Sequence, residues 1–331
     1  MKKILLVALA AAAMVGCSQN EEIENAGQKA EIKIGAVVGV NTKAVIVEND
    51  KFTAFKVFAY KTTDKMASAG ALTTFMDGVN VTKNPEWSYT GGPYYWPATG
   101  YVQFFSVVPE TTLTVGSGYP KFDYTVGKID DQKDLIAANL IDKDKSTGAI
   151  QLPFNHLLTQ VNFSIAGDKD FTYTLTSLEL VGVKDKGTFT FNGSATAGSW
   201  SAQVASSPTP TEYKYVGSVE LVSTGNNSVK LDTDANALFM LLPQTIAADA
   251  VVVKVTYSAK ATADPNQITV DNATKEVAIP AGAWAQGKRA RYTLQLTSDA
   301  SQVTFGDPVW SEWDSEETGG EVKPVTPTPV P

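Results

Sequence analysis

The chain carries one histidine, His156, and one cysteine, Cys17, in 331 residues. That inventory limits the chemistry. A zinc site of His and Cys ligands cannot be assembled in the body of the chain. A cysteine nucleophile is excluded there, and a Ser-His-Asp triad has only His156 to use. Two carboxylate pairs, Asp130-Asp131 and Glu316-Glu317, are adjacent in sequence. Neighbours on a strand point to opposite faces, and in a loop they are solvated. No GxSxG elbow, P-loop, HExxH or dinucleotide-binding glycine turn occurs. His156 therefore reads as a structural histidine bonded to neighbouring backbone. The expectation is a protein with no catalytic residues, no cofactor and no metal.

Cys17 has a different chemistry. Lys2 and Lys3 precede an apolar run, Ile4 to Val15, which is too short to span a bilayer well. Met14-Val15-Gly16-Cys17 follows and resembles a bacterial lipobox, whose cysteine is diacylated on sulfur and becomes the new N-terminus. Two or three acyl chains anchor firmly where one is marginal. Residues 1–17 read as a lipoprotein signal peptide ending at the lipidated Cys17, and 18–29 as a tether. The acidic run Ser18 to Glu24 is either a plain solvated tether or, by resemblance, a surface-export signal of Bacteroidetes lipoproteins. The expected location is the outer membrane, facing outward.

The rest of the chain must form the scaffold. It is 43% hydrophobic and only 19% charged, so it can bury sizeable cores. Val, Thr, Tyr and Phe are plentiful, which favours an all-β fold. The net charge of −8 becomes more negative once Lys2 and Lys3 leave, and it repels phosphate, so nucleic acid is not an expected partner. Phe55 to Lys61 alternates well. Gln132 to Ala138 reads as an irregular or helical piece, and Ala195 to Pro210 as a long surface loop holding Trp200. Leu152 to Ile165 reads as the opening strand of a second domain. Leu157, Thr159, Val161 and Phe163 share its apolar face and Leu158, Gln160, Asn162 and Ser164 its polar one, the pattern of a half-buried antiparallel strand. Strands recur about every ten residues between Gly, Asn, Asp and Pro, which argues for β-sandwiches. The boundaries read as an N-terminal sandwich over 30–150, a C-terminal one over 151–313, and a Pro/Thr-rich disordered tail over 314–331. The aromatics Trp87, Tyr94, Tyr95 and Trp96 form either a core plug or a sugar-stacking platform.

Eight features occur in order: the lipobox at Cys17, FKVFAYK at Phe55, the Trp87 to Pro97 cluster, YVQFFSVVP at Tyr101, QKDLIAA at Gln132, LPFNHLLTQVNFSI at Leu152, LLPQT at Leu241 and WAQGKRARYTLQL at Trp284. Together, over residues 30–313, they resemble the fimbrillin (Mfa-like) family of Bacteroidales type V pilus subunits, which are surface lipoproteins. The resemblance implies two tandem transthyretin-like (Greek-key) β-sandwich domains. It implies a structural subunit or accessory (stalk, tip or anchor) of a cell-surface fimbria, acting in adhesion. It further implies that an arginine-specific protease removes an N-terminal strand and that a neighbouring subunit's strand fills the groove. Physically, an open sheet edge is completed by another chain's backbone and alternating side chains. Strand exchange would involve Ile32, Ile34 and Val37 near one end and Val303, Phe305 and Val309 near the other. The expected cleavage arginine falls where this sequence has Lys43, before Ala44. The only arginines are Arg289 and Arg291. A lysine-accepting protease and no cleavage at all both stay open. The implied partners are other fimbrial subunits, the membrane through the lipid anchor, and a host surface protein or glycan. The alternative reading is a non-polymerising surface lipoprotein that binds glycans or host proteins through its aromatics.

Overall fold

The structure, a computed structural model, describes residues 30–38, 52–68, 71–205, 213–232, 237–264 and 266–313. Among these residues the chain is built of strands, with two single-turn 3-10 segments at Met66–Ser68 and Ile129–Asp131. Cys17, Lys43 and Ala44 lie outside the described residues.

The first sheet has seven strands: β1 (Ile34–Val38), β2 (Ala54–Thr62), β3 (Thr73–Lys83), β4 (Trp87–Tyr89), β5 (Tyr101–Val108), β7 (Ile136–Lys143) and β8 (Ile150–His156). Their spatial order is β1-β8-β7-β5-β2-β3-β4. One face buries Ile34, Val57, Ala59, Val81, Phe104 and Leu152 in a core of its own. Period-two alternation accounts for this: Phe55, Val57 and Ala59 are buried along β2, and Leu152 and Phe154 along β8. Central β5 is apolar on both faces, because Phe105 and Val107 turn to a second core.

That second core gathers the remaining strands. β6 (Lys121–Thr125) joins β11 (Lys186–Phe191) and β12 (Gly198–Val204) in a three-stranded sheet. Its rings meet the outer face of the first sheet, with Phe105 and Phe191 5.0 Å apart between centroids. A four-stranded sheet runs in the order β13 (Lys214–Val222), β10 (Phe171–Val181), β17 (Val252–Ala261), β18 (Ile268–Ala278). Another sheet holds β9 (Thr159–Gly167) beside β20 (Lys288–Leu296), with β14 (Val229–Lys230) and β15 (Phe239–Leu241) on β9, and β21 (Val303–Phe305) and β22 (Val309–Glu312) on β20. β16 (Gln244–Ile246) and β19 (Gly282–Trp284) form a short pair.

Three expectations need correction. Leu152 to Ile165 is two strands: β8 completes the first sheet, and β9 begins after Leu158. β9 is buried along its whole length, so its polar face is not solvated. It lies parallel to β20, which was the last element in sequence to supply a partner. Trp200 sits in strand β12 rather than a loop. Its Nε1 donates to the Leu157 carbonyl at 2.9 Å. The Ser/Ala-rich composition concealed a strand whose partner, β11, supplies the apolar surface. Within Gln132 to Ala138, the last three residues are strand, the buried start of β7.

Candidate strand-exchange site

Residues 30–38 join β8 of the first sheet to the segment after β4. On one side β1 pairs in parallel with β8, Ile34 opposite Ile150 and Ala36 opposite Leu152. On the other side, the residues just before β1 bond to the segment after β4. The Ile32 amide donates to the Tyr94 carbonyl at 2.9 Å, and the Trp96 amide to the Ala30 carbonyl at 3.0 Å. The segment thereby covers the β8 edge and ties it to the chain that follows β4.

Side-chain pattern follows the backbone. Ile32 and Ile34 point inward and are buried. Val37, in the opposite register, is 47% exposed. The inward set meets Trp96, Ile150, Leu152 and Phe154 in the first core. Phe52 packs on Phe154 at 4.9 Å and on Phe55 at 5.8 Å between centroids. Tyr89 fastens the segment from the β4 edge: its hydroxyl lies 2.8 Å from the Ile32 carbonyl oxygen and 3.0 Å from Glu31 Oε1. Burial, assisted by Glu31, raises the Tyr89 pKa and keeps it a donor. A surface cleft of about 450 Å³ opens beside this contact, between Glu31, Lys33, Trp87 and Pro93.

A family model described as fimbrillin-like matches residues 42–313. The chain belongs to the fimbrillin-like family. Among relatives, it is 25% identical over 362 aligned positions to the fimbrium subunit Fim1C of Phocaeicola vulgatus, covering 92% of this chain and 95% of that protein. Among solved structures, a fimbrial protein from Bacteroides vulgatus superposes with a TM-score of 0.65 at 19% identity, covering 86% of this chain and 99% of that one. A candidate cell-adhesion protein from Bacteroides uniformis gives 0.51 at 16% identity, over 86% and 99% of the two chains. At these identities the two structures share the fold.

The second group of expected exchange residues lies elsewhere in this fimbrillin-like chain. Val303 is buried and Phe305 half-buried on β21, and Val309 is 49% exposed on β22. Both strands pair with β20, in a different sheet from β1. The structure therefore keeps the two groups apart. Gly306-Asp307-Pro308 separates β21 from β22 along one side of β20.

The His156 side chain pairs with a carboxylate 22 residues away in sequence. Its Nδ1 lies 2.9 Å from Asp134 Oδ2, and both side chains are buried. Its ring stacks on Trp313 at 4.8 Å. Sequence reading missed Asp134, which had no visible motif. It also missed β8 as the partner of β1, although the alternation Ile150, Leu152, Phe154 was there to read. Trp96 is buried, Trp87 and Tyr94 are half-buried, and Tyr95 is 39% exposed. Most of that aromatic cluster is core. Among the described residues, no three His, Cys, Asp or Glu side chains gather as metal ligands would.

Proposed function

We propose that this chain is a subunit or accessory of a cell-surface fimbria, exported as a lipoprotein through Cys17 and assembled by strand donation with other fimbrial subunits. The observation that carries the reading is the placement of residues 30–38. They cover the β8 edge of the first sheet and bond to the segment after β4. They also precede the match to the family model, which begins one residue before Lys43. A cut between Lys43 and Ala44 would leave this segment held only by non-covalent contacts.

Those contacts are replaceable. A buried isoleucine is worth about 1.5–3 kcal/mol, so Ile32 and Ile34 hold the segment only modestly. The ladder on β8 is parallel, the slightly weaker arrangement per residue. Removing the segment exposes the β8 backbone together with Ile150, Leu152 and Phe154. A donor strand with apolar residues at alternate positions recovers both terms. In this reading the two halves of the chain are tandem transthyretin-like sandwiches, and the tail over 314–331 lies beyond the closing strand.

Mass spectrometry of protein released from cells tests the proposal. An N-terminus at Ala44 within a ladder of oligomers is the expected result. Acylated Cys17 as the sole N-terminus, with no oligomers, would overturn strand donation and favour a non-polymerising surface lipoprotein.

A further inference from the structure

The outer face of β2 carries Lys56, Phe58 and Tyr60 at alternate positions. Opposite Phe58, β3 contains an extra residue: pairing steps from Val57↔Val79 to Ala59↔Met76. Gly78 takes φ +59° in this bulge, a conformation that glycine adopts without steric cost. A second irregularity follows, and Tyr60 then pairs with Thr74. Bulges re-aim side chains and are common beside functional sites. Here they set Asp77 and Thr74 around the two rings. Beyond β5 the chain returns over the same face, tied by Lys56 to Glu110 at 2.6 Å.

The result is a cleft of about 440 Å³ lined by Phe58, Tyr60, Thr74, Asp77, Glu110 and Thr111, among others. That volume falls within the range of small-ligand sites. Tyr60 is buried in the second core, so the floor is fixed. Its hydroxyl stays protonated at neutral pH, because burial and then Asp77 push its pKa up to about 12. The rim is carboxylate and hydroxyl. Asp77 and Glu110 disfavour an anion, and Lys56 already neutralises Glu110, which weakens the case for a cation. A wholly apolar ligand would strand the rim's polar groups.

We propose that this cleft binds a neutral saccharide, with the C–H face of one sugar ring on Phe58 and its hydroxyls on Asp77, Glu110 and the threonines. The cleft lies on the face of the first sheet opposite Ile32 and Ile34, so the proposal is independent of strand exchange. Saturation-transfer NMR on the full chain, with lactose, maltose, cellobiose and mannobiose as probes and sialyllactose as the acidic control, tests it. At least one neutral disaccharide should respond and sialyllactose should respond less. The Kd of the responder should then rise about tenfold in Phe58→Ala and in Asp77→Ala, the effect of about 1.4 kcal/mol. Should Phe58→Ala fail to fold, the exposed positions Asp77→Ala and Thr74→Ala decide. Silence from every neutral probe at millimolar concentration would overturn the proposal. So would an unchanged Kd in both exposed variants, or an equal response to sialyllactose.

Discussion

His156 shows how one residue's role is set by what reaches it through space. Alone in the sequence, it invites catalysis. In the fold it is enclosed between Asp134 and the ring of Trp313. Trp313 is held in turn by its amide, which donates to the Gly287 carbonyl, and by Arg289 on its own carbonyl at 2.9 Å. Replacing one member of a buried hydrogen-bonded pair leaves the other poorly compensated. His156→Ala is therefore expected to lower stability by about 3 kcal/mol, read as a shift in the urea unfolding midpoint. A loss under about 0.5 kcal/mol would show that Asp134 does not depend on the imidazole. The two arginines have comparable structural work. Arg289 Nε donates to Gln160 Oε1 at 2.8 Å, and Arg291 forks onto Asp232 at 3.0 and 2.6 Å. Arg289 thereby caps the buried Gln160 side-chain carbonyl, and Asp232 also accepts from Asn162 Nδ2 at 3.2 Å.

At the scale of the element, β1 has two distinguishable faces. Ile34 is buried and Val37 is not, so matched substitutions separate packing from strand presence. Ile34→Asp places a carboxylate in an apolar core and is expected to cost about 3 kcal/mol or more. Val37→Asp should change stability by no more than about 0.5 kcal/mol. Denaturant melts of the two variants check this, and equal losses would contradict the inward register. β12 gives a second case. Trp200→Phe keeps most of the ring packing against Phe122 and Phe189 but deletes the donor to Leu157. A loss of about 1–2 kcal/mol is expected, the cost of leaving that carbonyl less satisfied. β8 joins both stories: its first residues carry β1, and its last, His156, meets the end of the β22 segment.

At the scale of the whole molecule, the second core is rich in buried phenols. Burial raises the pKa of Tyr60 to about 12, and those of Tyr124, Tyr173, Tyr257 and Tyr292 upward as well. The folded state therefore keeps protons that the unfolded chain releases once pH passes about 10. The unfolded state then binds fewer protons, and stability falls as pH rises. Stability should be level from pH 8 to about 10 and drop between about 10 and 12. Tyr60→Phe should make the drop shallower. Urea melts across that range check both statements, and a flat profile would refute the sign.

Local patterning was legible without coordinates. The all-β class, the alternation of β2, and family membership rest on residues close together or on their order along the chain. A strand's period of two is a local property, so sequence carries it. Pairing is not local. Nothing in Leu152 to Ile165 says that its first half completes a sheet with Ile34 while its second half lies parallel to β20. Nor does spacing reveal that Asp134 meets His156, or that bulges opposite Phe58 open a cleft. The sequence determined which residues could form strands and which faces they would bury. Only the tertiary structure decided which edges meet, because hydrogen-bond ladders and ring contacts form between backbones that the chain itself keeps far apart.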